Sequence, residues 1–150
     1  MRMRLKSGGG LFAVISICMF LLVFLSACSS MNKQKDSEEN LMKVVERYNS
    51  DLRWSNYKEA SFWVEPSLQE SFWSQADRLE GRLRITDFEI RPPIMWNSEK
   101  NAAEVTIIYH FYRTNDPRIE TGISHQSWRY LPEQKAWQLI RPDLGVLTSE

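Results

Sequence analysis

The chain has 150 residues, enough for one domain, and its 19 basic and 19 acidic residues cancel. The balance is uneven: residues 1–27 hold Arg2, Arg4 and Lys6 and no acid, which leaves 16 basic against 19 acidic residues from Cys28 onward, a net −3. A weakly acidic chain without a basic stripe is a poor partner for nucleic acid, and the two cysteines, Cys18 and Cys28, are too few for a metal site built on thiolates.

The chain opens on MRMRLKSGGG, a basic start with a glycine break, and Leu11 to Ala27 follow as 17 residues in which only Ser16 and Ser26 are polar. Basic start, apolar run and small residues at its end are the order of a secretory signal. A membrane-spanning helix needs about 20 apolar residues, with a lower limit near 17, so length alone leaves an uncleaved anchor open. Residues 29–37, SSMNKQKDS, are polar and unpatterned, as in a flexible tether.

The next part reads as helix. Ser37 is a candidate N-cap, and Glu38 and Glu39 stand in the first turn, where the helix dipole favours acids. Leu41, Val44, Val45, Tyr48 and Leu52 recur at three- and four-residue spacing, predicting a helix that ends near Trp54 to Asn56. A second helix is expected from Tyr57 to Val64, stopped by Pro66. A third opens at Pro66 or Ser67 and carries Leu68, Phe72, Ala76 and Leu79, with Gly81 where a left-handed residue is wanted.

The remainder reads as strand. Leu83 to Arg91 carries Leu83 and Ile85, then Phe88 and Ile90; the apolar phase slips, which predicts a bulge near Thr86 or Asp87. Pro92-Pro93 interrupts this strand, and Ile94 to Trp96 is its expected continuation. After a turn at residues 97–101, Ala102 to Arg113 alternates cleanly, with Ala103, Val105, Ile107, Tyr109 and Phe111 on one face. Asn115-Asp116-Pro117 is a turn, Ile119 to Leu131 a strand, Pro132 to Lys135 a turn, and Ala136 to Arg141 the last strand. Helices followed by a four-strand meander bury their apolar faces most economically as an α+β fold, N-terminal helices packed on a curved antiparallel sheet. The expected organisation is residues 1–27 as signal, 28–37 as tether and 38–150 as one domain.

Two resemblances sharpen this reading. Leu25-Ser26-Ala27-Cys28 resembles the lipobox of bacterial lipoproteins: a Leu, two small residues and a Cys after a basic start and an apolar run. The resemblance implies a diacylglyceryl group on the Cys28 thiol, cleavage between Ala27 and Cys28, and usually a further acyl chain on the new amino terminus. Two or more acyl chains anchor stably where one does not. Cleavage would remove Cys18, leaving Cys28 as the single thiol and no internal disulfide. The residue after Cys28 is Ser29 rather than Asp, which by the same resemblance implies export to the outer membrane. The order of elements over residues 42–142, with the aromatic hairpin SWRYLPEQKAWQLI (127–140), resembles the nuclear transport factor two-like superfamily, the cystatin-like cone fold. Enzymes of that superfamily use Asp, His or Tyr inside the cone.

No catalytic motif of that superfamily carries over residue by residue. The chain also lacks a glycine-rich phosphate loop, a Ser/His/Asp signature and a nucleophile elbow. Asp51, Asp77, Asp87, Glu89, Glu104 and Glu120 read as solvated carboxylates. His110 and His125 differ in number parity; if the hairpin pairs even with even positions, they face opposite sides of the sheet and form neither a dyad nor a metal site. His110 could point into the cone, near Glu104 or Trp128. All six tryptophans lie beyond residue 50, and Phe62-Trp63 and Phe72-Trp73 stand ten residues apart. These aromatics fill a small core, or they line a pocket at the cone mouth drawing on Trp63, Phe72, Tyr109, His110 and Trp128. The expected function is a lipid-anchored envelope lipoprotein with a non-catalytic binding or assembly domain facing the periplasm. It would be held to the membrane through Cys28, with an envelope protein as partner and no cofactor. The alternatives are a small hydrophobic ligand held in the cone and, by analogy with the superfamily, an isomerase- or dehydratase-like enzyme.

Overall fold

The computed structural model describes residues 38–148. Residues from Leu41 onward form one compact unit, separate from the Met1–Asn40 unit, of which only 38–40 are described. The expected signal, the lipobox residues Ala27 and Cys28, the tether and the Ser37 cap lie outside the described residues.

Helix α1 spans 38–53 and buries Leu41, Val45, Tyr48 and Leu52, the stripe that its spacing predicts. Helix α2, Tyr57–Ser61, is shorter than expected. The reason lies at the far end of the chain: Leu139 donates its N–H to Trp63 O at 2.7 Å, and Glu65 N–H donates to Leu139 O at 2.9 Å. The backbone of 63–65 is thereby taken as a short parallel bridge, Val64 to Leu139, and cannot continue the helix. A 3₁₀ turn, Pro66–Leu68, leads into α3, Gln69–Leu79, which buries Phe72, Ala76 and Leu79. Gly81 has φ +72°, the left-handed conformation expected after this helix.

Four strands follow: β1 (Leu83–Trp96), β2 (Ala102–Arg113), β3 (Asp116–Leu131) and β4 (Ala136–Arg141). They form one antiparallel sheet in the order β1-β2-β3-β4. The bulge is at Thr86: Ile85 pairs with Phe111 and Asp87 with His110, leaving Thr86 without a partner in the ladder. Its hydroxyl donates to His110 O at 2.9 Å. The extra residue returns Phe88 and Ile90 to the face of Leu83 and Ile85.

Two boundaries differ from expectation. β1 runs through Pro92-Pro93, with a register irregularity between Arg91 and Met95, because an edge strand tolerates residues that cannot donate to a ladder. β3 begins at Asp116, inside the expected turn, since Arg113 already pairs with Asp116. A short helix, α4 (Gly145–Thr148), closes the chain and buries Leu144 and Leu147 in and beside it. One apolar cluster joins the buried faces of α1, α2, α3 and α4 to the inner face of the sheet, so the architecture is α+β, helices then a four-strand antiparallel sheet.

Candidate functional site

The inner face of the sheet is apolar on β2 and mixed on β3. Along β2 it carries Ala103, Val105, Ile107, Tyr109 and Phe111; along β3 it carries Gly122, Ser124, Gln126 and Trp128. Ser124 and Gln126 are fully buried, as is Asn49 on α1. Three elements thus deliver Asn49, Tyr109 and Gln126 to one place in the core. Tyr109 Oη donates to Asn49 Oδ1. Gln126 Nε2 donates to Asn49 Oδ1 at 2.9 Å and to Tyr109 Oη at 3.0 Å. Asn49 Nδ2 donates to Val45 O at 2.7 Å and to Gln126 Oε1 at 3.2 Å. Each amide and the phenol finds its partners within the cluster or at Val45 O, whereas the neighbouring Tyr48 hydroxyl and the Trp128 and Trp137 indole N–H groups are buried without one. Burial pushes the Tyr109 phenol above the ordinary tyrosine range; the Gln126 hydrogen bond pulls it the other way and the Asp143 charge adds to the rise. Burial raises Tyr48 as well, helped by the nearby Tyr109. A neutral, mutually bonded set of this kind orders the core.

The segment after β4 seals the same face. Ser124 Oγ donates to Asp143 O at 2.9 Å, and His125 N–H donates to Asp143 Oδ2 at 2.8 Å. Leu144 and Leu147 are buried at 0% and 1% exposure. Val146 lies against Gly122 so closely that a Cβ there would stand 2.6 Å from Val146 Cγ2. Gly122 is therefore a place where chain must approach chain.

The five expected pocket residues do not come together around a space. Phe72, Tyr109 and Trp128 are core residues at 0% exposure, and Trp63 packs half-buried beside them. His110 lies on the opposite face of the sheet from Tyr109, its side chain one third exposed, with Nε2 3.6 Å from Glu89 Oε1 and Nδ1 3.2 Å from Thr121 Oγ1. It is near neither Glu104 nor Trp128 across the sheet, because His110 pairs with Thr121 while Glu104 pairs with Ser127, three rows away. The described surface has clefts of about 700 Å³ between α1 and β1 and about 770 Å³ at the β2–β3 turn. A smaller one of about 290 Å³ lies beside Met95 and Trp96. Trp128 borders the last of these.

Both histidines occupy the outer face. β2 and β3 pair even with odd positions, His110 with Thr121 and His125 with Thr106, which overturns the opposite-face expectation. They are kept apart by distance along the strands instead. His125 has its own carboxylate, Glu104 Oε1 at 3.9 Å, which Arg141 also holds at 3.1 Å. Among the described residues no three His, Cys, Asp or Glu side chains are grouped to hold a metal ion. Asp51 is not solvated as expected: it is 3% exposed and accepts from Arg47 Nε at 3.1 Å. Between the histidines Ile108 pairs with Ile123, which is 54% exposed, and Ile119 lies beyond it at 60%.

Asn49 and Gln126 are the residues that sequence reasoning missed. The signal was present: Gln126 stands at an inward position of β3, in phase with Trp128, and Asn49 sits beside Tyr48 on the buried stripe of α1. Of the paired aromatics, Phe72 enters the core and Trp73 stays outside at 38% exposure, whereas Phe62 is outside at 72% and Trp63 turns inward. Comparison with protein-family models, with curated proteins and with solved structures finds no significant match to this chain.

Proposed function

We propose that the chain is a lipid-anchored envelope lipoprotein whose folded domain binds a partner protein and does not process a ligand. In this reading residues 1–27 are a signal removed before Cys28, Cys28 carries lipid, residues 28–37 tether the domain, and the domain faces the periplasm from the outer membrane. The observation that carries the binding role is the closed interior: Asn49, Tyr109 and Gln126 satisfy one another and residues 142–148 cover the face beside them. Apolar contact area is left on the outer face of the sheet, at Ile108, Ile119 and Ile123.

The anchor is tested by replacing Cys28 with Ser in cells fed a palmitate analogue. Loss of label and accumulation of uncleaved precursor are expected; processing and membrane retention of the Ser variant would sink the lipid reading. The binding role is tested by a photo-cross-linking residue at Ile123 in the intact envelope, with a second at Lys58 as control. One discrete cross-linked protein at 123 and none at 58 is expected. Absence of any adduct, together with thermal stabilisation of the purified protein by small hydrophobes, would move the function to a ligand held inside.

A further inference from the structure

We infer that the α2–α3 corner, with Phe62 and Trp73 at its surface and Trp54 beside it, rests on the phospholipid surface, which orients the outer face of the sheet away from the membrane. This rests on the lipid-anchor reading of Cys28.

A hydrogen bond ties the corner: Gln69 Nε2, in the first turn of α3, donates to Ser61 O at the end of α2, at 3.3 Å. Phe62 follows Ser61, and Trp73 lies one turn beyond Gln69 on the same face of α3. Phe62 is 72% exposed and Trp73 38%. Trp54, 68% exposed, ends the turn after α1, three residues before α2 begins. Trp73 also packs edge-on against Phe72, ring centroids 5.7 Å apart, while the larger part of Phe62 and Trp54 stands out from the helical layer. Trp and Phe are the side chains that gain most at the headgroup boundary, where one end is apolar and the surroundings are wet. Basic groups accompany them: Lys58 stands one turn before Phe62, and the Arg53 guanidinium, paired with Asp87 at 3.3 Å, lies 5.6 Å from the Trp54 ring centroid. Such groups suit lipid phosphates. Glu59 lies next to Lys58, so the attraction comes from the rings more than from net charge.

The length of chain between Cys28 and Glu38 brings a lipid surface within reach of the patch. Glu38 is ten residues after Cys28, and ten residues of chain reach at most about 35 Å. Helix α1, residues 38–53, is about 24 Å long. An anchor at Cys28 can therefore hold even the far end of α1, with Trp54 and α2, against the bilayer. The helices and the outer face of the sheet lie on opposite sides of a two-layer fold, so one side on the lipid leaves the other free for a protein.

The test uses the lipidated protein reconstituted in vesicles of phosphatidylethanolamine and phosphatidylglycerol. With Cys28 acylated, Phe62→Cys or Ile123→Cys creates a single free thiol at an exposed site, which takes an environment-sensitive fluorophore without disturbing the core. The expected result is a blue-shifted probe at 62, quenched severalfold more by nitroxide lipid than the probe at 123. Equal quenching at the two sites overturns the inference. A shift at 62 in native membranes that is absent in pure lipid also overturns it, since the patch would then meet a protein. Palmitate-analogue labelling of the same preparation reports the anchor separately. Labelled protein without the contrast removes the patch and keeps the anchor; unlabelled protein with the contrast keeps the patch and removes the anchor.

Discussion

Replacing Asn49 with Ala probes the interior most directly. The Asn49 side chain accepts from Tyr109 and from Gln126, and donates to Gln126 and to Val45 O. Its removal leaves three buried groups without partners: the Tyr109 hydroxyl proton, one Gln126 N–H and the Gln126 carbonyl. Each costs about 1–3 kcal/mol when stranded. Rotation of the Gln126 amide lets its oxygen accept from Tyr109, whose Oη lies 3.0 Å from Nε2, and recovers part of the loss. The net destabilisation should be about 3–5 kcal/mol, a large share of the 5–15 kcal/mol typical of a domain. Tyr109→Phe should cost less, about 1–3 kcal/mol, because Asn49 and Gln126 keep the bonds between them. Urea unfolding followed by tryptophan fluorescence measures both, and the double variant gives the coupling. A loss below about 1 kcal/mol for Asn49→Ala, with unchanged m, would mean that the cluster is not dry and that the interior is open to water or ligand.

Three further outcomes follow from the same geometry. Burial raises the phenols of Tyr48 and Tyr109 above their ordinary value near 10, so stability is full below about pH 10 and falls as pH rises toward the folded values. The slope should approach about 1.4 kcal/mol per pH unit for each tyrosine, with Tyr57, also raised by burial, adding to it, and Tyr109→Phe should remove one tyrosine's share; urea midpoints between pH 8 and 11 decide this. Gly122→Ala places a Cβ 2.6 Å from Val146 Cγ2 and 3.2 Å from Phe111 Cε1, which should cost about 1–3 kcal/mol and loosen α4; unchanged amide-exchange protection at Leu147 would contradict it. Gly81→Ala meets nothing within 4 Å but keeps φ +72°, so its cost should be backbone strain alone, about 1–2 kcal/mol by thermal or urea unfolding.

The elements that repeat a period were legible before the structure. The α1 stripe of Leu41, Val45, Tyr48 and Leu52, the alternation of β2 and the phase slip at Thr86 each follow from a local rule that one stretch of chain carries whole. What escaped depends on partners far along the chain. Gln126 became a core residue because Asn49, 77 residues earlier, meets it. The histidines share a face because β2 pairs even with odd positions of β3, His110 with Thr121 and Thr106 with His125, a register that the irregularity between Phe111 and Arg113 separates from the turn and that no local pattern reveals. The four-residue α4 is too short to show a period, and only its fit against Gly122 reveals its place.

The bridge from Val64 to Leu139 has a consequence for the order in which the molecule can form. It joins residues 75 apart, and the hydrogen bonds on either side of it tie the end of the second helix to the last strand. Local turns and the β2–β3 hairpin can close early and α1 can meet β2 and β3 through Asn49, but the end of the second helix is not fastened to the sheet until the final strand is in place. Loop closure of that span is an entropic cost met late, so residues 62–65 should gain native protection after the α1–β2–β3 core, and a fragment that stops before Leu139 should lack protection at Glu65 N–H.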